Sequence, residues 1–86
     1  MELEIINEKG LHARASAKFV EVVEAHDARA QVSRDGMSVS GDSIMGLLML
    51  AASKGTSIHV TTDGAQADAL SEALKSLVSD RFGEGK

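Results

Sequence analysis

Cysteine, proline, tryptophan and tyrosine are absent from this 86-residue sequence, and two phenylalanines are its only aromatic residues. Without cysteine there is no disulfide, no thiolate nucleophile and no zinc site of the usual kind, which fits a reducing cytoplasm. With so few aromatic rings, the core has to be aliphatic and no platform exists for stacking nucleic-acid bases. Any chemistry in this protein must therefore come from other residue types.

Charge and hydrophobicity are typical of an ordinary soluble globular protein. The sequence is 43% hydrophobic and 26% charged, with a net charge of -4. Because phosphate backbones are bound by clustered Lys and Arg, this balance predicts no nucleic-acid partner. The acidic N-terminus is unlike a signal peptide, and the longest apolar run, 44–52, is too short to span a bilayer. We expect a cytoplasmic monomer with a single domain over residues 1–86 and no membrane insertion.

The period of the hydrophobic residues changes from two to 3.6 early in the chain. Alternation over 2–7, with Leu3 and Ile5 on one face, predicts a half-buried strand. From Ala15 the apolar residues recur at helical spacing, which predicts an amphipathic helix that starts at Ala13 and ends near Asp27.

A β-hairpin is predicted next. The dipeptide Asp35-Gly36 separates two alternating runs, and Asp-Gly suits the two positive φ angles of a type I′ turn. This loop would pair Arg34 with Met37 and Val32 with Val39.

The remaining elements complete an α+β pattern. Asp42 or Ser43 can cap a short helix for which Gly55 would supply the C′ residue, followed by a strand over 56–62 and a last helix. The tail, 83–86, is predicted to fray. The order βαββαβα predicts an open-faced β-sandwich: a four-stranded antiparallel sheet with three helices on one face.

The segment GLHARAS, residues 10–16, places a histidine and an arginine where the first helix begins. At this N-cap, the free amides of Ala13 to Ser16 and the helix dipole favour an anion and disfavour a positive ring. A neutral His12 would have a nucleophilic ring nitrogen, and Arg14 could clamp a phosphoryl group added to it. The alternative is that His12 is an ordinary N-terminal residue and Arg14 a solvated charge. Spacing alone does not decide between them.

Two further motifs, GDSIMGLLMLAASKGT and a G-x-x-A-x-A-L helix, complete a resemblance to HPr, the histidine-containing phosphocarrier family of bacterial sugar phosphotransferase systems. In that family the histidine takes a phosphoryl group on Nδ1 from Enzyme I and passes it to an EIIA-type component. The resemblance implies that His12 is the carrier and Arg14 a phosphate contact. Ser16 would either contact the phosphate or face water. Such a protein is a stoichiometric carrier, not a turnover enzyme, and needs no cofactor or metal.

One departure from the family pattern is Ala15, which stands where proline usually follows the arginine. Proline would preset φ and remove an amide, so alanine adds a donor and loosens the turn. We expect the carrier function to be kept. The rate of transfer and the preferred partner, including a purely regulatory one, stay open.

Ser43 is the second candidate site. As a helix N-cap it would accept a bond from the amide of residue 45 or 46. In many relatives this serine is also phosphorylated by an HPr kinase/phosphorylase. A phosphate there adds about -1.5 to -2 charges and would repel an acidic partner.

The run IMGLLML is too apolar for one short helix to bury completely. Part of it should form an exposed docking patch, in which methionine suits several partners because it repacks easily. The family's partner surface implies outward positions Ile44, Met45 and Leu48 and inward positions Leu47, Leu50 and Ala51.

Two rival functions remain at this stage. One is a regulatory adaptor that acts through Ser43 phosphorylation and the patch on helix 43–51. The other is a small-molecule sensor, for which the sequence gives no pocket signal. His26 and His59 are interpreted as structural, because the three histidines lack metal-ligand spacing.

Overall fold

The computed structural model describes residues 1–86. Its strands are β1 (Glu2–Glu4), β2 (Arg29–Arg34), β3 (Met37–Ser40) and β4 (Ser57–Asp63); its helices are α1 (Ala13–Glu24), α2 (Ile44–Met49) and α3 (Ala67–Ser79). A 3-10 turn, Arg81–Gly83, follows α3. The strands form one antiparallel sheet in the order β1-β4-β2-β3. The predicted βαββαβα fold is confirmed.

The sheet buries one face and exposes the other, as the alternation of its strands predicts. Leu3 lies opposite Ile58 and Val32 opposite Val60, and all four side chains belong to the core beneath the helices. Each fully buried aliphatic side chain of this kind contributes about 1.5–3 kcal/mol. The helices have neither the length nor the run of apolar residues that crossing a bilayer would require.

The hairpin register is confirmed. Arg34 pairs with Met37 and Val32 with Val39. The loop residues Asp35 and Gly36 have φ of 50° and 81°, as a type I′ turn requires. An Asp-Gly pair therefore fixes which face of β3 meets the core.

Two predicted helix ends are wrong. Helix α1 stops at Glu24, and the ring of His26 donates from Nδ1 to the carbonyl of Val22 at 2.7 Å, so a side chain satisfies the terminal carbonyl that another helical turn would use. Gly55 is not the C′ residue of α2. That helix ends at Met49. The amides of Leu50 and Ala51 bond the carbonyls of Leu47 and Leu48, and the Arg34 guanidinium donates to the carbonyl of the C-cap residue Leu50 at 2.9 Å.

The predicted fraying of the tail is also wrong. Phe82 is fully buried, and Lys18 donates from Nζ to its carbonyl at 2.6 Å. The amide of Glu8 bonds the carbonyl of Lys86 at 3.2 Å. The buried ring of Phe82, which belongs to no periodic pattern, thus holds the C-terminal residues against the first half of α1.

Candidate functional site

His12 is the N-cap residue of α1. Its extended backbone (φ -79°, ψ -177°) turns the ring back over the first turn, where Nδ1 accepts a hydrogen bond from the amide of Arg14 at 3.3 Å. The amide of Ser16 bonds the His12 carbonyl at 2.8 Å. The amides of Ala13 and Ala15 have no acceptor in the chain. Two of the four predicted free donors therefore have no partner in the chain, the exposed Ala13 amide and the amide of the fully buried Ala15, and the Arg14 amide becomes the third if Nδ1 releases it.

The loop before His12 is fixed by Gly10. Its φ is +65°, and a Cβ there would lie 2.6 Å from the carbonyl oxygen of Ala52. The next residue, Leu11, donates its amide to that same oxygen at 2.9 Å. Only glycine permits this approach, and the loop is thereby held against the segment that follows α2.

The second ring nitrogen of His12 contacts a residue from the other end of the chain. Nε2 forms a hydrogen bond with Oε2 of Glu84, and the side chains of His12 and Glu84 are only 25% and 14% exposed. The other carboxylate oxygen, Oε1, accepts from Nδ2 of Asn7 at 2.9 Å. Asn7 is fully buried and also donates to the Gly10 carbonyl at 2.8 Å. Sequence reasoning missed Glu84 because it lies in a glycine-rich tail with no periodic signal.

The surroundings of Glu84 shift its ionisation. Burial raises the pKa of this carboxyl, but the hydrogen bonds that Glu84 accepts from Asn7 and His12, together with the electrostatic effect of His12 and of the Lys9 ammonium, outweigh burial, so that the pKa of Glu84 lies below its ordinary value. The group is therefore a carboxylate at neutral pH.

This pKa shift predicts an acid-dependent loss of stability. A carboxyl whose pKa is lower in the folded chain than in the unfolded chain stabilises the fold above its unfolded pKa, and the effect disappears as pH falls through the folded value. We expect wild type to exceed Glu84→Gln in free energy of unfolding at pH 7, with the gap closing below the ordinary glutamate pKa of about 4.3. Urea unfolding across this pH range measures it. A gap that widens in acid contradicts the assignment.

Beside the ring is an open cavity of about 420 Å³ with a mixed but mainly basic lining. The guanidinium of Arg14 is exposed and has no ion-pair partner. The charged residues that line the cavity are Glu8, Lys9, Arg14, Lys18, Glu84 and Lys86. Four cations against two anions make this a cavity in which an added anion is favoured.

Ser16 does not take part in this arrangement. It is fully buried, and its hydroxyl donates to the carbonyl of Leu11 at 3.3 Å. The predicted phosphate contact through this hydroxyl does not fit the structure, because a small polar residue on the buried face of α1 satisfies itself on the preceding loop.

Ser43 caps α2 as predicted. Its Oγ accepts from the amide of Gly46 at 3.0 Å, and Asp42 instead accepts from the hydroxyl of Ser40 at 2.6 Å. A Cβ on Gly46 would lie 2.9 Å from that of Val39 and 3.1 Å from the Ser43 Oγ. Glycine therefore permits close packing of this first turn.

Loss of this cap should have a measurable cost. We expect Ser43→Ala to lower the free energy of unfolding by about 1 kcal/mol, because the Gly46 amide loses its acceptor. Thermal unfolding tests this, and Ser43→Asn, which can still cap, is the control. Equal melting temperatures for wild type and Ser43→Ala would show that the cap is dispensable.

The exposed side of α2 is apolar. Ile44 is 41% and Met45 69% exposed, and Leu48 is half-buried. Met49 at 63% and Met37 at 40% extend the surface, although neither was predicted there. We call these five residues the helix patch.

The inward side of α2 agrees with prediction except at its end. Leu47 and Leu50 are buried, but Ala51 is exposed and Ala52 takes the inward position. The physical reason is the left-handed backbone of Ala51, whose φ is 51°. The chain leaves the helix at this residue, so the side chain of Ala51 faces solvent and that of Ala52 faces the core.

The other two histidines make hydrogen bonds within the fold. His26 caps α1, and His59 on β4 contacts Glu2 on β1 with Nδ1 3.0 Å from Oε1. No group of three or more His, Asp or Glu side chains is placed to hold a metal ion.

The chain is similar in sequence and in fold to known proteins. Residues 1–80 match the family model described as PTS HPr component phosphorylation site. Phosphocarrier protein HPr of Pseudomonas aeruginosa is 48% identical over 87 residues, covering 100% of this chain and 97% of the relative. Phosphocarrier protein NPr of Shewanella violacea is 35% identical, covering 96% and 91% of the two chains. The crystal structure of HPr-C-His from Thermoanaerobacter tengcongensis superposes with a TM-score of 0.93 at 33% identity, covering 98% and 94%.

Proposed function

The chain belongs to the PTS HPr phosphocarrier family, and from this premise we propose that residues 1–86 act as a cytoplasmic, monomeric phosphoryl carrier through His12. Phosphorylated Enzyme I would donate the phosphoryl group, and an EIIA-type component would accept it. The protein would serve as a stoichiometric carrier in the phosphotransferase system and not as a turnover catalyst.

The observation that supports this role most is that the two ring nitrogens of His12 have different hydrogen-bond partners. Nε2 is engaged by a carboxylate, so the proton resides there, while Nδ1 accepts from the Arg14 amide and so has a free electron pair. Nδ1 is therefore the nucleophile. A phosphoryl group bonded to it would take over the Arg14 amide and reach the unpaired amides of the same turn.

Arg14 would bind the phosphoryl oxygens from the cavity side. Its guanidinium has no partner to leave, so binding breaks no existing ion pair, and charge-assisted bonds of this kind are about twice as strong as neutral ones. Ala15 contributes an amide that the usual proline would lack. We expect that additional donor to stabilise the phosphorylated state.

Incubation with phosphoenolpyruvate and an active Enzyme I tests the proposal. Intact-mass measurement should show the gain of a single phosphoryl group, which acid treatment removes, because a phosphorus–nitrogen bond is hydrolysed in acid whereas a phosphate ester on serine is not. No mass gain with an Enzyme I that phosphorylates another HPr in the same mixture would refute the carrier role.

Partner docking is proposed to use the helix patch. Exposed methionines supply apolar contact area that adapts to more than one partner. We expect Met45→Glu to lower kcat/KM for phosphorylation by Enzyme I about tenfold or more, since loss of an interface hot spot costs ~2 kcal/mol or more. The matched control is Thr61→Glu on the exposed face of β4. Equal losses in both variants would point to charge alone and not to docking.

Regulation through Ser43 is a second proposal, resting on the family resemblance. A phosphate on Oγ would displace the bond from Gly46 and place negative charge beside Ile44 and Met45, which would weaken docking of an acidic partner. ATP and an HPr kinase/phosphorylase should then modify Ser43 and leave Ser43→Ala unmodified. A modified Ser43→Ala would reject the site.

The alternative function is a purely regulatory branch of the same system. The similarity to a protein named NPr and the Ala15 departure favour keeping it as a candidate. Transfer assays with a sugar-specific and a nitrogen-regulatory EIIA in parallel distinguish the branches, because the faster acceptor identifies the pathway.

A further inference from the structure

The tail that follows α3 delivers one carboxylate to the ring of His12. Phe82 is fully buried two residues before Glu84, and Lys18 bonds its carbonyl. The backbone of the tail is therefore anchored on both sides of the acid, since the carbonyl of Lys86 accepts from the amide of Glu8. An anchored carboxylate of low exposure holds its orientation better than one on a mobile terminus.

Asn7 fixes which oxygen of Glu84 meets the ring. Its Nδ2 donates one hydrogen to Oε1 of Glu84 and the other to the carbonyl of Gly10, while its Oδ1 is buried without a partner. The amide can only donate toward Glu84, and Oε2 is left for Nε2 of His12. The result is a chain of contacts from a buried amide, through a carboxylate, to the second ring nitrogen.

We propose that Glu84 is a positioning residue for phosphoryl transfer, which holds the proton of His12 on Nε2 and balances the positive charge that the ring gains when Nδ1 is phosphorylated. This inference rests on the proposed carrier function and deepens it. Glu84 does not touch the phosphoryl group and acts only through the ring, as carboxylates orient histidines in other sites. The lowered pKa of Glu84 supports it, because an ionised carboxylate is needed.

Phosphoryl transfer to His12 exchanges one bond to phosphorus for another. The electron pair on Nδ1 forms a bond to phosphorus, the bond between phosphorus and the donor atom of phosphorylated Enzyme I breaks, and its electron pair stays on that donor atom. No proton has to leave His12, because the one on Nε2 stays between the ring and Glu84. The ring is then formally positive and the adjacent carboxylate negative. On onward transfer, the same protonated ring is the leaving group, and it departs neutral with its Nε2 proton in place.

Glutamine is the informative replacement at position 84. Its amide offers a single oxygen, whereas Asn7 and the Nε2–H of His12 both need an acceptor. The glutamine NH₂ must therefore face one of these donors. When this NH₂ faces His12, it donates to Nε2, which requires the ring proton to move to Nδ1. Nδ1 is then no longer free to attack phosphorus.

The experiment compares wild type, Glu84→Gln and a matched control, Glu8→Gln, which removes a carboxylate lining the same cavity but not touching the ring. Nitrogen-15 spectra of histidine-labelled protein at pH above 8 report which ring nitrogen carries the proton, and quench-flow gives the rate of phosphorylation by Enzyme I. We expect wild type and Glu8→Gln to hold the Nε2–H form. Glu84→Gln should show a mixture of the two forms and a rate lower by about tenfold or more.

Failure of the carrier function and failure of the role of Glu84 give different results. A wild type that takes no phosphate overturns the carrier function and, with it, the role of Glu84. Normal phosphorylation of wild type, with Glu84→Gln unchanged in tautomer and within about twofold in rate, overturns the role of Glu84 alone. A Glu84→Gln variant that is slow while its ring stays in the Nε2–H form overturns the holding of the proton and supports the balancing of charge. Retained backbone amide shifts show that the variant is folded, and Glu84→Ala repeats the comparison without a misplaced NH₂.

Discussion

His12→Ala should abolish phosphorylation from phosphoenolpyruvate and Enzyme I while leaving the domain folded. The imidazole supplies the only nucleophile at this helix terminus, since the Ser16 hydroxyl is buried and bonded to Leu11. The cost to the fold should be small. Alanine loses the bond that Nδ1 accepts from the Arg14 amide, and loss of a side-chain cap costs about 0.5–2 kcal/mol.

The two other histidines are the matched controls for that result. His59→Ala removes an exposed ring on β4, and His26→Ala removes the ring that bonds the end of α1. Both variants should be phosphorylated at wild-type rate and extent in the same intact-mass assay. Full phosphorylation of His12→Ala, or its loss in His59→Ala, would place the acceptor elsewhere.

Phe82→Ala should destabilise the domain more than any surface change considered above. Phe82 is one of the two aromatic residues and is fully buried, and removal of a buried phenylalanine typically costs about 3–5 kcal/mol. That is a large part of the ~5–15 kcal/mol by which such domains are stable. Urea unfolding should show the loss, and the melting temperature should fall by more than about 10 °C.

The neighbouring residue is the control for Phe82→Ala. Arg81 is exposed and has the same left-handed backbone, with φ of 54° at both positions, so Arg81→Ala changes the side chain under the same backbone constraint. We expect it to lie within about 0.5 kcal/mol of wild type. If Phe82→Ala is equally mild, the tail is peripheral and the position of Glu84 against His12 has no structural support.

The regular part of the fold was predictable because its signals are local. Alternation of Leu3 with charged neighbours identified β1, and Asp35-Gly36 set the register of β2 and β3 through the sign of two φ angles. The capping roles of His12 and Ser43 followed from residue type at a change of period. These are properties of a few adjacent residues, and each is decided by backbone sterics or by one hydrogen bond.

Two of the missed features depend on residues distant in sequence. Arg34 satisfies the end of α2 through a bond to Leu50, and the sequence around Gly55 offered a more obvious but unused terminator. Glu84 lies 72 positions from His12, and the glycines around it suggested fraying. The tail is held in place because Phe82 is buried. A segment of three or four residues is too short to show a hydrophobic period, so the sequence did not predict that this side chain enters the core.

The central claim is that Nδ1 of His12, at the N-terminus of α1, takes the phosphoryl group. The most direct measurement is phosphorus–nitrogen correlation spectroscopy of the nitrogen-15-labelled chain after treatment with phosphoenolpyruvate and Enzyme I. We expect coupling between phosphorus and Nδ1 of His12, with shifted amide resonances at Ala13, Arg14 and Ala15. Coupling to Nε2, to another histidine, or phosphorylation without any change at those three amides would contradict the assignment to Nδ1.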